Sequence, residues 1–224
     1  MEGLPHLSGQ EPGDSRELAL FAEEPQRRIR GDIQIGFLEG VRHFEYDAYS
    51  KRLKKPKATY FYLNKLIESL DAAPLEGHRF ENGTYFFTEG EDTISLEQLV
   101  GMIMKNIKKF GSAQANSDIK DAVLTVPAHW GFKARMALVN AAYIADLSAL
   151  GVVNENSAAA IHFAITRNDT DPVNIGFFNL GSHNLQISMV QFFGTLDESK
   201  GKNIESLRVL SHVSLSGVGG LALD

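Results

Sequence analysis

The sequence predicts an α/β protein, and three features of its second half indicate that class. The apolar run over 122–126, which Pro127 closes, is typical of a buried strand. The Ala-rich stretch over 133–147 predicts a helix. A short apolar strand at Val152 and Val153 and a second helix over 157–166 come next, so that strand and helix alternate along this part of the chain.

Composition limits the kinds of site and partner that the protein can have. The chain has 224 residues, with 22 Lys and Arg against 28 Asp and Glu, which gives a net charge of −6. An acidic chain is unsuited to a phosphate backbone, so we expect no nucleic-acid partner. The absence of Cys excludes disulfides, thiolate metal sites and a cysteine nucleophile. No apolar run approaches the roughly 18 residues of a membrane helix, and no secretory leader is visible at the start.

The first half of the chain carries weaker signals. Gly, Pro and polar residues predict a disordered lead over 1–16, and alternating apolar residues then predict short strands. Pro56 is expected to separate two helices, and Asn82 with Gly83 forms the turn signal of a hairpin. The predicted elements are strands at 18–21 and 33–38, a turn at 39–40, helices over 46–53 and 60–70, and a hairpin over 79–87.

The most regular helical pattern starts after Ser95. Apolar residues from Leu96 to Phe110 recur at helical spacing, and Ser95 with Gln98 matches a capping box. Gly111 is in the position of a residue that ends a helix. This segment therefore predicts a long amphipathic helix over 96–110.

The last fifty residues read as strands and turns. We predict strands over 174–179 and 185–193, joined by the turn 180–184, and then a charged loop over 196–204. A final strand over 207–215 is followed by a glycine turn at 217–220. The chain stops at Asp224 directly after this turn, which we interpret as the end of a truncated segment.

Three features carry candidate chemistry: the turn at Gly181, the residue Glu155 and two asparagines in an acceptor pattern. Gly181 lies in a tight turn between two strands, where successive backbone N–H groups can form an anion site, although a plain hairpin turn explains the same pattern. His183 in that turn is a candidate proton donor or an idle surface residue, and no second ligand at metal spacing accompanies it. Glu155 follows a strand end, where ligands bind in α/β sheets, or it only begins the next helix. Asn82 and Asn168 match the N-glycosylation acceptor pattern.

Four segments in order resemble one family, the seventy-kilodalton heat-shock (DnaK-like) ATPases. Residues 121–127 (DAVLTVP) look like its D-A-V-I-T-V-P segment, and residues 153–160 (VNENSAAA) look like its I-N-E-P-T-A-A-A segment. Residues 178–184 (FNLGSHN) resemble its second phosphate loop, F-D-L-G-G-G-T, and Gly219 with Gly220 is similar to its later L-G-G pair. The segments 55–59 (KPKAT) and 95–102 (SLEQLVGM) are similar to the large endoplasmic-reticulum branch of hypoxia up-regulated and large glucose-regulated chaperones.

The resemblance implies a fold, a cofactor and a site. The fold is the actin-like ATPase fold of the heat-shock nucleotide-binding domain, present in part. Residues 17–172 would be most of lobe I, and residues 173–224 the first strands of lobe II. The cofactor is ATP or ADP with Mg²⁺, with no direct protein ligand to the metal. Nucleotide contacts would come from Gly181, Ser182, His183, Asn184, Gly219 and Gly220, and Glu155 would be the retained acidic residue.

The chain departs from the family at positions that matter for hydrolysis. The family's first phosphate loop, D-x-G-T/S, is absent from the sequence. The family's phosphate-holding lysine corresponds to Asn64, and the aspartate that opens the second loop corresponds to Asn179. A neutral amide supplies neither the charge of the lysine nor a strong ligand for a hard cation. Asn156 replaces the proline after Glu155, at a position of interdomain signalling.

Three functions follow from the resemblance and these departures. The first is a chaperone-family nucleotide-binding domain that assists folding in the endoplasmic reticulum under stress, with weak or no hydrolysis. The second is a non-catalytic module that docks on another heat-shock chaperone and aids nucleotide exchange. The third is a truncated product without a function of its own. The lumenal location comes from the resemblance alone, and a cytoplasmic location is the alternative; unfolded clients are not expected because the family's peptide-binding region is absent.

Overall fold

The structure is a computed structural model that describes residues 34–53, 56–167, 171–197 and 202–220. The predicted lead over 1–16 and the strand over 18–21 lie outside the described residues. Its strands are β1 (Ile35–Leu38), β2 (Val41–Phe44), β3 (Thr59–Tyr60), β4 (Arg79–Glu81), β5 (Thr84–Glu89), β6 (Asp92–Ser95), β7 (Asp121–Val126), β8 (Ser148–Asn154), β9 (Val173–Leu180), β10 (Asn184–Asp197) and β11 (Lys202–Ser216). Its helices are α1 (Glu45–Lys51), α2 (Leu63–Ser69), α3 (Leu96–Ala115), α4 (Phe132–Ile144) and α5 (Glu155–Thr166). The predicted α/β class is confirmed.

The strands form several small sheets. Antiparallel sheets have the orders β2-β1-β3, β4-β5-β6 and β11-β10-β9, whereas β7 and β8 pair in parallel. The parallel pair is connected through α4, as expected for a β-α-β unit. The capping box of α3 is present, with the Ser95 hydroxyl accepting from the Gln98 N–H and the Gln98 side chain accepting from the Ser95 N–H.

All five predicted helices differ in their bounds from the helices of the structure, and the differences at α2 and α3 have clear causes. The segment 60–70 begins with strand β3, and α2 starts only at Leu63 after Tyr62, whose φ is +57°. Tyr60 belongs to the strand because its ring packs edge-on against Phe37 and Phe87. In α3, Gly111 does not end the helix, which continues to Ala115 and stops where Asn116 adopts a left-handed φ of +48°.

Three further predictions differ from the structure: one loop, one strand and the end of one helix. The charged loop over 196–204 is largely strand, because β10 extends to Asp197 and β11 starts at Lys202, and the two pair along their length. Strand β6 was missed because Ile94 is its one buried apolar residue. The predicted helix over 133–147 ends at Ile144, and Asp146 after it has a left-handed φ of +57°.

The largest core lies between α2, α3, α4 and the sheet of β4, β5 and β6. Tyr85 of β5 is fully buried there, together with Leu63 and Leu99. Helices α3 and α4 approach closely at Gly101, where an added Cβ would lie 2.9 Å from Ile144 Cγ2. Small residues of α4, among them Ala141, allow this close approach.

A carboxylate from another element caps the start of α4. The Asp71 side chain accepts hydrogen bonds from the N–H groups of Lys133 (2.9 Å) and Ala134 (3.2 Å). Gly131 leaves space for it, since a Cβ there would lie 2.6 Å from Asp71 Oδ1. This contact ties the end of α2 to the segment between β7 and α4.

Helix α5 packs on the sheet of β9, β10 and β11. Ala160 of α5 is buried against Val190 and Phe192 of β10, and Phe163 contacts Phe192 edge-on. The middle of α5 is thereby held against the middle of β10. In the described part of the chain, no helix has the length and apolar character needed to cross a membrane.

Candidate functional site

The carboxyl ends of the two parallel strands meet at one sheet edge. Val126 of β7 is paired with Asn154 of β8, so that Pro127 and Glu155 follow the strands at the same level. Glu155 is also the first residue of α5. The side chain of Arg135 in α4 donates to Asn154 Oδ1 (2.7 Å) and to the carbonyl of Trp130 (2.8 Å), which fixes this edge. Ligands commonly bind at such an edge.

Two amide side chains donate to the Glu155 carboxylate. Asn179 Nδ2 donates to Glu155 Oε2 at 3.2 Å, and Gln186 Nε2 donates to the same oxygen. Asn179 and Gln186 are cross-strand partners in the β9–β10 hairpin, which explains why their side chains reach the same atom. The structure therefore brings the predicted residues Glu155 and Asn179 together and adds Gln186.

The orientation of the Gln186 amide is fixed from both ends. Its Oε1 accepts from the Ala128 N–H at 3.0 Å, so its Nε2 must face Glu155. Gln186 is 1% exposed. The side chain thus links the segment after β7, the start of α5 and the hairpin of β9 and β10.

The two predicted glycine segments lie against each other. The Gly220 N–H donates to the Gly181 carbonyl (3.0 Å), and the Gly217 N–H donates to the His183 carbonyl (2.9 Å). Gly219 is in closest contact, since an added Cβ would lie 2.6 Å from the carbonyl carbon and oxygen of Ser182. A side chain at position 219 would therefore push the segments apart.

Within the turn, Gly181 uses its own backbone groups. Its N–H donates to the Asn184 carbonyl at 2.9 Å, so it cannot also donate to an anion. An added Cβ at Gly181 would lie 3.1 Å from Asn184 Oδ1. Ser182, His183 and Asn184 remain predicted contacts for an anion.

Asn64 is placed on α2, outside the hydrogen-bond network of Glu155. Its Oδ1 is buried, and among the described residues it has no hydrogen-bond partner. One turn further along α2, Glu68 Oε1 lies 3.3 Å from His129 Nε2, and His129 Nδ1 lies 2.6 Å from Ser214 Oγ on β11. His129 thereby connects α2 to the sheet of β11, which the sequence did not indicate.

A cavity of about 290 Å³ opens beside the Glu155 network. Asn156 is buried at its wall and donates to Ser188 Oγ at 3.0 Å. The volume of the cavity is near the lower end of the range for small-molecule sites. The lining residues are Ala128, Asn154, Asn156, Ser157, Ser188, Val209 and His212.

Asn82 lies in an exposed hairpin turn between β4 and β5, with a φ of +51°. Thr84, the third residue of the acceptor pattern, donates from Oγ1 to Glu97 Oε2 at 2.8 Å. The other glycosylation candidate, Asn168, lies outside the described residues.

Gln186 and His129 are the site residues that sequence reasoning missed. The sequence carried no signal for Gln186, because the alternation over 185–189 predicts that Ile187 and Met189 face inward, whereas in the structure Gln186 is buried and those two residues are exposed. A buried amide at such a position needs partners, and the pairing with Asn179 supplies one. For His129 the only signal was its position after the end of β7.

The chain matches the family described as "Hsp70 protein" over residues 76–205. It is 26% identical over 221 residues to "Heat shock protein 88" of Dictyostelium discoideum, an alignment that covers 92% of this chain and 27% of that protein. It is 28% identical over 197 residues to "Hypoxia up-regulated protein 1" of Danio rerio, covering 81% of this chain and 20% of the relative. With "Heat shock protein 70 homolog lhs1" of Schizosaccharomyces pombe it shares 30% identity over 140 residues, covering 61% of this chain and 16% of the relative. The chain thus spans about a quarter or less of the length of these relatives.

Proposed function

Because the chain belongs to the Hsp70 family, we propose that it binds the phosphates of an adenine nucleotide at the Glu155 edge, with little or no hydrolysis. The predicted fold, the actin-like ATPase fold of the Hsp70 nucleotide-binding domain, is confirmed by this membership, and the chain covers part of that domain. The family's cofactor is ATP or ADP with Mg²⁺. Binding by this chain is our proposal.

The observation that carries the proposal is the contact between the two glycine segments beside Glu155. Gly220 and Gly217 donate to the carbonyls of the 181–183 turn, and this packing holds the turn in one shape. A turn fixed in advance can contact phosphate oxygens without a further ordering cost. Glu155 is held beside this turn through its hydrogen bond from Asn179.

Slow or absent hydrolysis follows from the charges at the site. Phosphoryl transfer depends on positioning and on stabilising the charge of the transferred phosphate. The resemblance puts the phosphate-holding lysine at Asn64 and an aspartate at Asn179, and both are neutral amides in this chain. Glu155 remains as an acidic group, and one of its carboxylate oxygens already accepts hydrogen bonds from two amide side chains.

Calorimetric titration of the purified chain with ADP and with ATP tests the proposal. We expect a Kd between about 1 and 100 μM, weaker than a complete two-sided cleft would give. No heat of binding up to about 1 mM nucleotide would contradict the proposal. In that case the docking module would become the leading function, and capture by a purified lumenal chaperone would test it.

Alanine at Gly219 is expected to weaken ADP binding at least about tenfold, because its Cβ would overlap the Ser182 carbonyl and separate the two glycine segments. The same calorimetric titration with ADP measures this loss of affinity. Gly220→Ala is the matched control, since the nearest atom to its Cβ would be 4.0 Å away, and its affinity should change less than about twofold. Equal losses for both variants would show that the contact at Gly219 is not what shapes the site.

We further propose an endoplasmic-reticulum location, on the resemblance to the lumenal branch, and N-glycosylation of Asn82 there. When the chain is fused to a secretory leader and expressed in animal cells, we expect a mobility shift that a peptide-N-glycosidase removes. Asn82→Gln should reduce the number of glycans by one, because Asn82 is exposed in a turn. Asn116→Gln is the control, since Asn116 has a similar left-handed φ but no acceptor pattern. An unchanged glycan number in Asn82→Gln would rule out this site.

A further inference from the structure

We propose that the Glu155 cleft takes its nucleotide without a divalent cation, an inference that rests on the proposed function. The reason is the set of groups around Glu155 Oε2, which consists of two amide donors. Mg²⁺ requires oxygen ligands at about 2.0–2.1 Å in near-octahedral geometry, directly or through its waters. The two amides occupy Glu155 Oε2 with N–H hydrogens, and an oxygen engaged in this way is a poorer ligand for a cation or its waters.

The Gln186 amide cannot turn to present its oxygen to a cation. Gln186 Oε1 already accepts from the Ala128 N–H at 3.0 Å, so turning the amide would break that bond and the bond to Glu155. The side chain is buried, so that water would not replace the lost partners. Asn179 donates to the same carboxylate through Nδ2, and as a neutral amide it is a weaker ligand for a hard cation than a carboxylate would be.

Asp71, the acidic residue that follows α2, is already engaged. Both of its oxygens accept from the first N–H groups of α4. Across the described ranges, no group of three or more His, Cys, Asp or Glu side chains could hold a metal ion. The residues present do not fit a family-type Mg²⁺ site, because Asn179 is neutral and Glu155 Oε2 is occupied by two amide donors.

ADP titrations in excess EDTA and in excess Mg²⁺ test the proposal. We expect the two Kd values to agree within about twofold, and a Kd at least about tenfold higher in EDTA would overturn it. Asn179→Asp is the informative variant, because it places a second carboxylate beside Glu155. Its ADP affinity should become Mg²⁺-dependent by at least about fivefold, and continued indifference to Mg²⁺ would show that the amide is not what excludes the cation.

Binding of Mn²⁺ alone separates a failure of this proposal from a failure of the proposed function. Electron paramagnetic resonance of Mn²⁺ with the full chain should show no site that Glu155→Gln removes. A Mn²⁺ site in the unsubstituted chain that is lost in Glu155→Gln would overturn the proposal, whether or not ADP binds. Absence of ADP binding in both EDTA and Mg²⁺ would refute the proposed function, while the Mn²⁺ result would still decide whether the cleft accepts a cation.

Discussion

Replacing Tyr85 by alanine is expected to lower the free energy of unfolding by about 4 kcal/mol, the largest effect that we expect from a single substitution. The ring is fully buried, and Phe80 packs edge-on against it at 5.0 Å. Its hydroxyl accepts from the Leu75 N–H at 2.8 Å and contacts the Ser69 hydroxyl. Because Ser69 donates to the Leu66 carbonyl, Tyr85 is the donor in that contact. Urea unfolding followed by circular dichroism measures the loss.

Two further variants separate the contributions of the ring and the hydroxyl. Tyr85→Phe keeps the ring and leaves the Ser69 oxygen without its donor, so we expect a loss of about 1–2 kcal/mol. Tyr143→Ala is the exposed control, since Tyr143 is 81% exposed on α4, and its effect should stay within about 0.5 kcal/mol. Similar stability of Tyr85→Ala and Tyr143→Ala would contradict the position of Tyr85 in the core.

Replacing Gly101 by alanine is expected to lower the free energy of unfolding by about 2 kcal/mol. Alanine favours a helix over glycine by about 1 kcal/mol, but the new Cβ would lie 3.0 Å from the Ala141 carbonyl oxygen and 2.9 Å from Ile144 Cγ2. One of these contacts is with backbone, so α3 and α4 must move apart. Urea unfolding followed by circular dichroism measures this loss of stability as well.

Gly111→Ala in the same helix is the matched control. The nearest atom to its Cβ is the end of the Ile119 side chain, Cδ1, which can rotate away. We therefore expect Gly111→Ala to be neutral or to stabilise the protein by up to about 1 kcal/mol. Destabilisation of the same size at both positions would show that the α3–α4 contact is not the cause.

The sequence was most informative where local chemistry fixes the structure. The capping box at Ser95 and the hairpin turn at Asn82 depend on neighbouring residues, and both are present. It was less informative where distant contacts decide, as at Tyr60, which pairs in β3 because Phe37 and Phe87 pack against its ring. The continuation of α3 through Gly111 is also a tertiary effect, since glycine alone is a weak helix former.

The candidate site shows the same division. Glu155 and the two glycine segments were identified by their local sequence, which resembles a family of known function. Gln186 was not identified, because its importance comes from the pairing of β9 with β10 and from a hydrogen bond to Ala128, 58 residues earlier in the chain. The division of the chain into two lobes remains a prediction.

Hydrogen exchange of the full chain with and without ADP tests the central claim most directly, because it shows where the nucleotide binds. We predict slower exchange in peptides that cover residues 180–185 and 215–220, with no change at the C-terminal end of α3 near Ala115. Protection confined to other segments, or no protection at a saturating ADP concentration, would contradict a nucleotide site formed by the two glycine segments beside Glu155.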